Sequence, residues 1–171
     1  MFRPTYVFDK VTDVTPEFLK KKNIRGLMLD LDNTLTTHNN PIVPRSSLEW
    51  IEKMKASGIK LMIVSNNHAP RVTPFARQLG VEFVSEGKKP LTFGYNRAVK
   101  KMGLEKKHIA SVGDQIFTDV LGSNLAGVRS IFVFPIKPEE SLPFRFKRAV
   151  ERPLLPDKNR IIKTKEVNND E

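Results

Sequence analysis

The chain has 171 residues, of which 28% are charged and 39% hydrophobic, enough for one domain with its own core and too few for two, at roughly 100 to 200 residues per domain. No apolar run approaches the ~20 residues of a membrane-spanning helix, and the opening MFRPTYVFDKVTDV lacks the apolar stretch of a secretion signal, so a cytoplasmic protein is expected. With no cysteine, disulfides, thiolate zinc sites and cysteine nucleophiles are excluded; a bound metal must be held mainly by oxygen, which suits a hard ion such as Mg²⁺.

The net charge of +10 is uneven: residues 45–108 hold thirteen Lys or Arg against five acids, and residues 137–171 hold nine against seven. A basic middle favours phosphate esters, nucleic acid or an acidic membrane surface without choosing among them. A solvated basic surface is the plain alternative.

Residues 1–25 place Phe2, Tyr6, Val7, Phe8, Val11 and Phe18 among prolines and the run Lys20-Lys21-Lys22, and read as an arm packing on the domain. GLMLDLD (26–32) is a buried strand that carries Asp30 and Asp32 at its end. Period-two alternation puts both acids on one side, opposite Leu29 and Leu31. Buried carboxylates then require a metal cation, a lysine or water to balance them. Leu48, Ile51, Met54 and Lys55 recur at helical spacing behind Ser46 or Ser47 as N-cap, with Gly58 as the stop. KLMIVSN (60–66) is the next strand, and Thr73-Pro74 reads as cap and first-turn proline of a helix ending at Gly80. VEFVS (81–85) is a short strand; residues 91–103 form a helix with Leu91, Tyr95, Ala98 and Met102 on one face. HIASVGD (108–114), a helix over 117–127 and RSIFVF (129–134) complete the pattern.

Five strand segments alternating with helices predict an α/β three-layer sandwich with a mostly parallel, five-stranded Rossmann-like sheet and right-handed crossovers. The core spans 26–136; residues 137–171 read as a basic, proline-containing tail with a disordered end. The polar residues fall at strand carboxyl ends: Asp30 and Asp32, then Ser65-Asn66-Asn67, then Lys88-Lys89-Pro90, then Gly113-Asp114. In an open parallel sheet those ends share one edge, where ligands bind.

These residues resemble, in order, the four motifs of the haloacid dehalogenase (HAD) superfamily of phosphatases. Asp30-Leu31-Asp32-Asn33-Thr34 looks like motif I, Ser65-Asn66-Asn67 like motif II, Lys89-Pro90 like motif III, and Gly113-Asp114-Gln115 with Thr118-Asp119 like motif IV. The wording is similar to the subfamily IIIA group called YqeG-like, whose relatives include mitochondrial phosphatidylglycerophosphate phosphatase. The resemblance covers roughly residues 24–135 and implies a capless HAD fold. It implies that Asp30 is the nucleophile and Asp32 the general acid and base, and that Mg²⁺ is held by Asp30, the backbone carbonyl of Asp32 and Asp114. It further implies that Ser65 and a neighbouring amide, with Asn66 in the same motif, bind the phosphoryl group, that Lys89 neutralises charge there and helps hold Asp30 ionised, that Asp119 acts from behind through water or Lys89, and that Thr34 shapes the turn after the nucleophile.

Plainer readings stand beside these. Asp30 and Asp32 would cap a turn, Ser65 would be a turn residue, and Lys88 competes with Lys89 for the motif III position. His38 and His68 read as surface histidines and Trp50 as core. Only 30 residues separate Thr34 from Ser65, and 21 separate Asn67 from Lys89, so neither gap holds a cap domain. An open site excludes water poorly around a small metabolite and suits a phosphate carried on something large. A phospholipid is one such substrate, implied by the resemblance, with Phe144-Arg145-Phe146-Lys147-Arg148 against an anionic bilayer. A nucleic-acid end or phosphoprotein is the second. A HAD-fold scaffold for a ribosomal or nucleotide-binding partner is the non-enzymatic alternative.

Overall fold

The structure is a computed structural model that describes residues 1–37, 40–137 and 149–162. Its centre is β2 (Gly26–Leu29), whose four residues are all buried. Alternation splits them between two layers: Leu27 and Leu29 pack in one apolar cluster with Ile51, Met54, Val72 and Phe75, whereas Met28 packs in the other with Tyr95, Ala98 and Met102. A strand buried on both faces has no polar alternation, as its sequence requires.

Around β2 lie β1 (Tyr6–Phe8), β3 (Lys60–Val64), β4 (Glu82–Val84), β5 (Ile109–Gly113) and β6 (Arg129–Val133), in the order β1-β6-β5-β2-β3-β4, every pair parallel. The chain moves outward from β2 through β3 to β4, then returns to start again at β5. The order therefore reverses between β2 and β5, and a crevice opens at their carboxyl ends. The sheet has six strands rather than five. The sixth is β1, from the N-terminal arm, which pairs with β6 in the register Tyr6↔Ile131 to Phe8↔Val133.

The helices are α1 (Pro16–Lys21), α2 (Arg45–Ala56), α3 (Ala69–Leu79), α4 (Phe93–Met102) and α5 (Leu121–Ala126). Helix α2 is preceded by Pro44, not by a serine cap; Ser47 is buried and its hydroxyl donates to the Leu35 carbonyl at 2.9 Å. Helix α3 starts a turn earlier than Thr73-Pro74 indicated. Its first-turn proline is Pro70, Pro74 lies inside it, and Thr73 donates to the Ala69 carbonyl at 2.7 Å. Leu91 precedes α4 and is exposed, so it does not share the buried face of Tyr95, Ala98 and Met102. The helix read over 117–127 is a π-helical turn (Ile116–Val120) running into α5. Trp50 is buried and donates its indole N–H to the Val14 carbonyl at 2.8 Å.

Residues 149–162 run back along the sheet: Ile162 donates its amide to the Val7 carbonyl at 2.9 Å, and Leu155 and Ile161 pack on Val7, Ile116, Val120 and Phe132. His38, the Phe144–Arg148 stretch and the end expected to be disordered lie outside the described residues.

The arm is anchored by Phe8, fully buried, whose ring meets Phe18 edge-to-face at 5.0 Å. Phe8→Ala is expected to cost about 3–5 kcal/mol, measured as a lower urea midpoint at unchanged slope.

Candidate active site

Asp30 follows β2 at the reversal of strand order, and its amide donates to the Val112 carbonyl of β5 at 2.9 Å. Its carboxylate receives Lys89 Nζ at 2.6 Å, and the same ammonium reaches Asp119 Oδ1 at 2.6 Å. Lys89 is therefore the lysine at the crevice; Lys88, its neighbour, is exposed. Burial works against the Lys89 ammonium, but Asp119 and Asp30 outweigh it and hold its pKa well above the usual lysine range. Burial pushes the Asp30 carboxyl up to about 7, against the pull of Lys89.

Two neighbours hold Lys89 in place. Asn66 clamps its backbone, accepting from the Lys89 amide at 2.6 Å and donating to its carbonyl at 3.0 Å. That commits the Asn66 side chain to the lysine loop rather than to the crevice. Behind the loop, Gly94 of α4 packs on Gly87, where an added Cβ would lie 2.5 Å from a backbone oxygen.

Asp119 reaches the site from the π-helical turn. Its second oxygen accepts from the Gln115 amide at 3.1 Å, Tyr95 donates to its carbonyl at 3.2 Å, and Ser123 donates there as well. It lies so close to Gly113 that any Cβ at position 113 would overlap its carboxyl group. Asp114 is fully buried. One oxygen each from Asp30, Asp114 and Asp119 lie within 4.8 Å of one another. This all-oxygen set, with three carboxylates against one ammonium, suits a hard divalent cation; Asp119, expected behind the ligands, lies among these carboxylates and is tied to Lys89.

Two residues beyond Asp30, the Asp32 charge adds to the upward push on the Asp30 carboxyl, and the chain then turns through Asn33 at φ +60°. The Asp32 carboxylate is held by Asn67 Nδ2 at 2.7 Å and Arg71 at 3.0 Å. Ser65 is buried, and its oxygen accepts from the Asn67 amide at 3.1 Å. Thr34 is buried in the turn, and its hydroxyl has no hydrogen-bond partner among the described residues. His68 precedes α3 and pairs with Glu86 at 3.2 Å on the surface. Arg71 was missed by the sequence reading. Its signal was positional: it lies in the first turn of a helix that opens directly after Ser65-Asn66-Asn67.

A model of haloacid dehalogenase-like hydrolases matches residues 40–127. The chain is 42% identical over 154 residues to "Probable phosphatase YqeG" of Bacillus subtilis (strain 168), covering 90% of each. It is 26% identical over 149 residues to "Phosphatidylglycerophosphate phosphatase 1, chloroplastic/mitochondrial" of Arabidopsis thaliana, covering 81% of this chain and 43% of that protein. In fold it is similar to 3-deoxy-D-manno-octulosonate 8-phosphate phosphatase from Moraxella catarrhalis, solved with magnesium and phosphate ions. The TM-score is 0.54 at 19% identity, over 80% of this chain and 90% of that one. Strand order, motif residues and relatives agree: the chain belongs to the haloacid dehalogenase-like hydrolases.

Proposed function

We propose that this HAD-family phosphatase hydrolyses phosphomonoesters through an aspartyl-phosphate on Asp30, and that its substrate is a membrane phospholipid of the phosphatidylglycerophosphate kind. The observation that carries the mechanism is the meeting of Asp30, Lys89, Asp114 and Asp119 at the reversal of strand order. Phosphate monoesters are among the slowest bonds to hydrolyse in water, and a fixed nucleophile divides the barrier in two. An Asp30 oxygen attacks phosphorus while the ester P–O bond breaks, and Asp32 gives the leaving alcohol its proton. Asp32 then takes a proton from the water that attacks the acyl phosphate, releasing inorganic phosphate and restoring Asp30.

Lys89 fixes the Asp30 carboxylate and offsets its charge as the phosphate approaches. Asn67 and Arg71 orient Asp32. Ser65 supplies a hydroxyl at the phosphoryl oxygens. Mg²⁺, held by Asp30, Asp114 and the backbone carbonyl of Asp32, would reduce the repulsion between carboxylate and phosphate.

The lipid reading is supported by the name of the Arabidopsis relative and by the single helix that fills each gap beside the site, α2 between β2 and β3 and α3 between β3 and β4.

The test is phosphate release from phosphatidylglycerophosphate in mixed micelles beside soluble phosphate esters. We expect preference for the lipid, loss of turnover on chelation of Mg²⁺, and a fall of at least about 10³-fold in Asp30→Asn. Turnover of soluble esters alone would keep the mechanism and remove the lipid. Gly113→Ala, which forces Asp119 from its place, is expected to lower kcat by about 10²-fold while the protein remains folded by circular dichroism.

A further inference from the structure

Eight large apolar residues are exposed among the described residues. Singly exposed apolar residues are ordinary, but four of these leave strand carboxyl ends, on the edge that holds the catalytic crevice. Leu91 is 62% exposed and Phe93 58% exposed, two and four residues after Lys89. Ile42 is 66% exposed in the connection from β2 to α2, and its carbonyl accepts from the Thr36 hydroxyl at 2.8 Å. Ile136, 42% exposed after β6, donates its amide to the Asn33 carbonyl at 3.2 Å. Two of the four are thus hydrogen-bonded to the turn that carries Asp32.

The apolar residues have cations beside them. On α4, Phe93, Arg97 and Lys100 are spaced i, i+4, i+7 and share one exposed face, opposite the buried Tyr95, Ala98 and Met102. The Arg97 guanidinium lies over the Phe93 ring, 5.8 Å from its centroid. Leu91, Thr92, Phe93, Asn96, Arg97 and Lys100 line a shallow depression of about 430 Å³. Lys88 and Lys137 are exposed on the same edge.

We infer that this rim is a docking surface for an anionic lipid bilayer. Leu91 and Phe93 enter the interface, Ile42 and Ile136 support it, and Arg97, Lys100 and Lys88 lie at headgroup level. Apolar tips with cations behind them are the pattern of interfacial binding, in which burial of side chains and attraction to anionic lipid add. A crevice opened onto the bilayer would meet a headgroup phosphate without the lipid leaving the membrane, and the bilayer would exclude the water that a cap would otherwise exclude. This inference rests on the lipid reading of the active site but involves different residues.

The test compares the full chain with Leu91→Ser/Phe93→Ser and with Arg97→Gln/Lys100→Gln. It measures co-sedimentation with phosphatidylcholine vesicles with and without phosphatidylglycerol, together with turnover of p-nitrophenyl phosphate. The unmodified chain is expected to bind the anionic vesicles and to weaken with salt. The apolar variant should lose about tenfold or more of that binding, the cationic variant should lose its salt dependence, and both should keep turnover of the soluble ester. Equal binding by the apolar variant, or no vesicle binding by the unmodified chain, would overturn the docking surface. So would a dimer, seen by sedimentation velocity, that Leu91→Ser/Phe93→Ser dissociates. Vesicle binding through this rim without turnover of phosphatidylglycerophosphate would instead leave the docking surface standing and remove the lipid substrate.

Discussion

The ammonium of Lys89 between Asp30 and Asp119 is the interaction around which the rest of the crevice is built. A buried charge costs several kcal/mol unless paired, and removing one member of such a group costs about 3–5 kcal/mol because the others are left uncompensated. Every surrounding element serves this contact. Asn66 fixes the lysine's backbone from β3's end, Gly94 lets α4 close on the loop behind it, and the π-helical turn feeds Asp119 in from β5's end. Gly113 leaves the space that Asp119 occupies. Tyr95 ties the two halves together, since it stands on α4 and donates to the carbonyl of Asp119.

The sequence made most of this legible because strand ends are easy to find when strands are buried on both faces. Asp30, Ser65, Lys89 and Asp114 each follow an apolar run, and parallel topology alone brings them to one edge. What it concealed were places where local chemistry carried two meanings. Thr73-Pro74 has the form of a helix start, yet Pro70 fills that role and Pro74 is carried inside α3. Tyr6–Phe8 is three residues long and too short for its alternation to stand out, so its place as an edge strand beside β6 became visible only in the sheet. Asn66 reads as a crevice residue, but an amide side chain offers both a donor and an acceptor, and the backbone of Lys89 uses both.

Asn33 stands in the left-handed region directly after Asp32, a conformation Asn tolerates better than most residues, so the turn that follows the acid was written in the sequence beside it. Arg71 was harder to find, because its partner Asp32 is distant in sequence and only its place in the first turn of α3, after Ser65-Asn66-Asn67, pointed to the contact.

The consequence is that the two acids of the proposed mechanism have separate supports. Asp30 is held by Lys89, whose loop leads into α4, and its neighbour Asp119 comes from the turn before α5, so its supports come from the layer that packs on Met28. Asp32 is held by Asn67 and by Arg71 of α3, from the layer that packs on Leu27 and Leu29. A nucleophile and a general acid placed two residues apart would disturb one another if they shared one set of charges, and different surroundings are how a single site keeps two carboxyl groups in different roles. The sheet supplies that separation directly. Its two faces deliver different partners to the same edge, Lys89 to Asp30 and Arg71 to Asp32.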